Sequence, residues 1–160
     1  MSSWFSRTLA LTALLATALT GAALASSYTA TLDALSEVPP NNSPATGLAT
    51  LILNDQTLQM SWQLDFAGLT APTTASHIHR GPAGVNGPVI YPLALGVFQS
   101  GVQGVLQFNA ADLPDLLNLG LYVNIHTNNF PGGEIRGQVR VAATAVEPKT
   151  WGAIKTLFTD

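Results

Sequence analysis

Apolar and polar residues alternate with a period of two along most of the chain, as they do in strands with one buried face. The pattern predicts about eight strands. They are "YTATLDALSEV" (28–38), "LATLILN" (48–54), "LQMSWQLDFAG" (58–68), "SHIH" (76–79), "VIYPLALG" (89–96), "GVLQFN" (104–109), "LYVNIHT" (121–127) and "GEIRGQVRVA" (133–142). Gly, Pro and Asn cluster between them, and "NDQT" (54–57) reads as a hairpin turn. Many short strands at this spacing predict an all-β fold, a Greek-key antiparallel β-sandwich or a barrel.

Two segments break the alternation. In "NAADLPDLLNLG" (109–120), Asn109 fits a helix N-cap and Gly120 a stop, while Pro114 limits the segment to one or two helical turns. In the tail, "PKTWGAIKTLF" spaces Trp151, Ile154, Leu157 and Phe158 as one helical stripe. This predicts a short C-terminal helical tail over 144–160, either docked on the domain or serving as a surface anchor or a tag read by a partner. The first 25 residues have the pattern of an export signal: Arg7, then an uncharged apolar run, then Ala23-Leu24-Ala25 as a small-x-small cleavage site. The run is short for a bilayer span, so no transmembrane segment is expected after cleavage. One domain over 26–143 remains, expected to be secreted, periplasmic or held at the cell surface.

Composition narrows the partners. Charged residues make up 9% of the chain, and without Arg7 there are five basic and nine acidic groups. No basic stripe exists to meet nucleic acid. There is no cysteine, which excludes disulfides and thiolate metal sites. Neither a nucleophile elbow nor a phosphate-cradling glycine loop is present.

The candidate chemistry lies in the three histidines. His77 and His79 are two apart and share one strand face, opposite Ile78. In "LYVNIHT", Leu121, Val123 and Ile125 fit the core, which puts Tyr122, Asn124 and His126 on the outer face. If these strands are neighbours, three imidazoles meet outside the core. In the last strand, Glu134, Arg136, Gln138 and Arg140 alternate with apolar residues. Either Glu134 or, after a two-residue slip, Arg136 stands opposite His126. Glu134, Arg136 and Asn124 are therefore expected to orient an imidazole or receive an anion. Three neutral imidazoles suit copper, with zinc next, better than magnesium or calcium. Glu37 and Arg80 are candidate loop contacts. The alternative reading gives the histidines a structural role in a non-catalytic extracellular module that binds protein or glycan through its loops.

"LSEVPP", "SHIHRGPAGVNGPV", "LYVNIHT" and "PGGEIRGQV" together closely resemble the CHRD domain, named after chordin and common in secreted bacterial proteins. The resemblance implies an extracellular β-rich domain. More distantly, "HIH" and the histidine of "VNIHT" are similar in order to copper ligands of the Cu/Zn superoxide dismutase sandwich, with Arg136 matching its anion-guiding arginine. That enzyme's disulfide, fourth copper-ligand histidine and zinc loop have no counterpart here. The implied function is copper held or buffered at His77, His79 and His126, ahead of catalysis, with a superoxide-reacting enzyme ranked lowest.

Overall fold

The computed structural model describes residues 25–143. The expected tail, and the expected leader apart from Ala25, lie outside the described residues. Among the described residues nine strands form: β1 (Ala25–Asp33), β2 (Thr46–Asn54), β3 (Gln59–Ala67), β4 (Thr73–Arg80), β5 (Val89–Leu95), β6 (Val102–Gln107), β7 (Leu121–Thr127), β8 (Ile135–Gln138) and β9 (Arg140–Val141). Every ladder is antiparallel, in the order β5-β4-β7-β8-β1-β2-β3-β6, with β9 beside β1. The end strands β5 and β6 approach each other and nearly close the sheet. Around this near-barrel β4, β5 and β6 lie side by side, with β3 flanking β6. That is a Greek-key order, and the all-β expectation holds. Among the described residues no helix is long and apolar enough to cross a membrane.

Local chemistry explains most element ends. The Asn54 side chain accepts hydrogen bonds from the backbone N–H of Gln56 and Thr57, which closes the β2–β3 turn. Asn109 caps a 3-10 turn (Ala110–Asp112) by accepting from the Ala111 N–H, and α1 (Leu113–Leu117) follows with Pro114 in its first turn. Two strand expectations need correction. The first strand stops at Asp33, not at residue 38, because the Asp33 carboxylate takes the Ser36 N–H at 2.7 Å and turns the chain. The last strand divides into β8 and β9, with Val139 between them.

The core follows the alternation. Ile78, Leu121, Val123, Ile125 and Ile135 join Leu51, Leu53, Met60 and Leu64 in one buried cluster. The opposite faces of β4, β7 and β8 are not left to solvent. Tyr122, Asn124 and Arg136 are each at most 2% exposed, because the 81–88 loop and the loop after β1 lie across them.

Candidate metal centre

β7 pairs with β4 so that His77 stands opposite Asn124 and His79 opposite Tyr122. His126 lies one diagonal step away, within reach of long side chains across a ladder. The register between β7 and β8 sets Asn124 against Arg136 and Ile125 against Ile135. This selects the alignment of His126 with Glu134 and excludes the two-residue slip. The three imidazoles converge: each offers a nitrogen, and these nitrogens lie within 4.8 Å of one another. Nitrogens on one zinc or copper ion sit roughly 3.4 Å apart, given metal–nitrogen bonds of about 2.1 Å.

Backbone carbonyls fix two of the rings. His79 Nδ1 lies 2.9 Å from the Gly87 carbonyl, and His126 Nδ1 lies 2.9 Å from the Pro131 carbonyl. A carbonyl can only accept, so both Nδ1 atoms carry the proton and both Nε2 atoms present lone pairs. His79 Nε2 is buried with no hydrogen-bond partner. His126 Nε2 faces His77 Nδ1 at 3.2 Å, where an Nδ1–H donates to it; the His77 tautomer protonated at Nε2 would offer a third lone pair. Burial, together with the neighbouring imidazoles His126 and His79, lowers the His77 pKa to about 4. Burial also lowers His79, with the Gly87 carbonyl and the Asn124 amide acting in the other direction. His126 is lowered by burial too, against the Pro131 carbonyl. All three are therefore neutral near pH 7, the form that ligates metal.

Around the triad runs a stack. The Tyr122 ring lies flat on His79, with centroids 4.8 Å apart and planes 10° apart. The Arg136 guanidinium covers the ring at 3.4 Å. Arg136 also donates to Asn86 Oδ1 and to the carbonyls of Pro82 and Val85, pinning the 81–88 loop down. Arg136 is 1% exposed, and both of its Nη atoms are engaged by the loop. Arg136 thus supports the loop whose Gly87 carbonyl orients His79.

The remaining candidates lie elsewhere. Glu134 makes no hydrogen bond to an imidazole. Its carboxylate accepts from Ser43 Oγ (2.6 Å), Thr127 Oγ1 (2.5 Å) and the Thr70 N–H (2.8 Å). Burial acts to raise its pKa, and these bonds overcome that and hold it below the usual carboxylate range. Its chemistry is that of a latch between loops. Arg80 points to the helical crossover, where it pairs with Asp112 and, at 2.8 Å, with Asp115. Glu37 lies against Gly133 with Oε1 unpartnered, and burial pushes its pKa up to about 7 despite Arg136.

Sequence reasoning missed Tyr122 as a site residue and could not find the two orienting carbonyls. Tyr122 shared the alternation that exposed His126, so the signal was there. Gly87 was legible only as part of a Gly/Pro-rich loop.

No curated protein and no solved structure matches the chain. The CHRD domain family model matches residues 28–139, which include all three histidines, both carbonyls that accept from their Nδ1–H groups, and the Arg136–Tyr122 stack. With the match spanning more than half of the chain and the whole of β7 and β8, the chain belongs to the CHRD-domain family.

Proposed function

We propose that this CHRD-domain protein is exported and holds a copper ion through His77, His79 and His126. The observation that carries the reading is the pair of Nδ1-to-carbonyl contacts, at 2.9 Å each, which leave two Nε2 lone pairs in one small space. A ligating histidine is usually oriented this way through its other nitrogen. Purely imidazole donors without thiolate or carboxylate favour Cu2+, which leads the divalent affinity order, with zinc next. Export rests on the N-terminal pattern of Arg7, apolar run and Ala23-Leu24-Ala25. Holding or buffering is favoured over turnover, since Arg136 is buried and spends both Nη atoms on the 81–88 loop.

The test is copper titration of the wild-type chain and of His126→Ala. Loss of one of three ligands should weaken uptake by a hundredfold or more, beyond the 10–100-fold typical of lost orienting partners. Copper should also raise the melting temperature of the wild type only. Equal, weak uptake by both proteins defeats the reading.

A second reading, a loop-borne module for an extracellular protein or glycan, is favoured by one feature. A cavity of about 550 Å3 between the loop after β1 and the 81–88 loop is lined by Asp33, Glu37, Gln138 and Arg140, beside Leu35 at 79% exposure. Such a module predicts indifference of the melting temperature to copper and to chelator.

A further inference from the structure

Asn124 is 2% exposed, and its side-chain oxygen has no hydrogen-bond partner. It stands on β7 two residues before His126, on the same strand face, and directly opposite His77 on β4. The donors around it are committed elsewhere. Arg136, its neighbour on β8, spends its guanidinium on Asn86, Pro82 and Val85. Ser76 Oγ donates to the backbone carbonyl of Asn124. The other orphan in this region is His79 Nε2. Two buried acceptors, on side chains close enough to interact, thus share the outward face of β4 and β7 without a donor, an arrangement that costs free energy unless something fills it. A metal on His79 Nε2 satisfies the nitrogen and leaves the amide oxygen still unpaired.

We propose that Asn124 Oδ1 faces the fourth coordination position of the three-histidine site and selects there a ligand that carries a proton. Water, hydrogen peroxide or another O–H or N–H ligand donates to this oxygen. An anion with lone pairs alone is repelled by it. Three protein ligands leave that position open, and Asn124 is the specificity-determining residue for what enters. The proposal rests on the three-histidine reading of the site.

The experiment uses the full chain loaded with Cu(II) and azide as the probe, followed by its charge-transfer absorption and by electron paramagnetic resonance. Wild type, Asn124→Leu and Asn124→Asp are compared. Removing the acceptor should tighten azide binding about tenfold in Asn124→Leu, the scale of one unmet buried polar contact. Asn124→Asp, which keeps the oxygen and adds charge, should bind azide more weakly than wild type. Equal azide affinity in wild type and Asn124→Leu overturns the proposal, because the amide then does not reach the ligand. Weaker binding in Asn124→Leu also overturns it, because Nδ2 and not Oδ1 then faces the site. If Asn124→Leu fails to fold, Asn124→Asp decides: azide affinity equal to or above wild type overturns the proposal. Failure of the wild type to take up Cu(II) is a separate outcome that defeats the three-histidine reading, and this proposal with it.

Discussion

The outward faces of two parts of the same sheet differ in what covers them. On β2, β3 and β6 the strands keep strict alternation, and Ser61, Gln63 and Gln103 point into solvent beside Ile52 and Val105. On β4, β7 and β8 the corresponding outward side chains are His77, His79, Tyr122, Asn124, His126 and Arg136, and most of them are buried. A polar outer face in water carries little energetic weight. The same face under a loop must satisfy each donor and acceptor, so every residue there is constrained by a partner. Three orphans remain, His79 Nε2, Asn124 Oδ1 and Glu37 Oε1, and they stand out against the paired groups around them.

The covered face is most vulnerable at Gly87. A Cβ there would overlap the Arg80 carbonyl oxygen, where the 81–88 loop closes back on β4 through the Arg80 N–H to Pro88 carbonyl bond. Gly87 also orients His79 through its carbonyl and donates its N–H to Tyr122 Oη at 3.1 Å. Gly87→Ala should cost on the order of 3–5 kcal/mol by forced backbone movement, and should release His79 from its orientation. Urea unfolding measures the first effect and copper titration the second. A variant with wild-type stability would show that the loop tolerates what its packing forbids.

Arg136 holds the same loop from below, with a smaller expected effect. Arg136→Met keeps much of the stem's packing yet strands Asn86 Oδ1 and two carbonyls under the loop. The expected loss is about 2–4 kcal/mol. Gln103→Ala, an outward position on the open face, should fall within about 0.5 kcal/mol of wild type. If the two substitutions cost the same, the loop is not held by the guanidinium and the two faces are energetically alike.

How much of this was legible in the sequence divides along the same line. Alternation placed Ile78, Leu121, Val123 and Ile125 in the core and sent His77, His79 and His126 to a common side, because strand periodicity is a local property. The register of β7 against β8 was not local. It depends on the hairpin between them, where Gly133 at φ 132° lets Glu134 turn to Ser43, Thr70 and Thr127 and away from the histidines. The burial of Arg136 was equally hidden. An alternating arginine reads as solvent-facing until the 81–88 loop, fifty residues earlier in the chain, is known to lie over it.

The smallest predicted effect is in the response to acid, and it separates the two kinds of buried group on the covered face. His77 has a pKa of about 4 in the folded chain against 6.5 when free. Between those values the unfolded chain binds more protons, so the histidine contribution to stability is complete above pH 6.5 and is lost as pH falls toward 4. His79 and His126, also lowered, act in the same direction. Glu37 opposes them. Its carboxyl is raised from 4.5 to about 7, so its contribution is complete below pH 4.5 and is lost as pH rises to about 7. The two contributions partly cancel between pH 4.5 and 6.5, and metal-free wild type should show a shallow profile there. Glu37→Gln removes the opposing group and leaves the imidazoles. Its urea midpoint, measured with chelator present, should therefore fall more steeply than wild type on acidification from pH 6.5 to 4.5. Parallel profiles would mean that Glu37 takes up no proton on folding. The Oε1 atom held against Gly133 would then be a buried carboxylate satisfied by Arg136, and the covered face would have one fewer unmet acceptor than its geometry indicates.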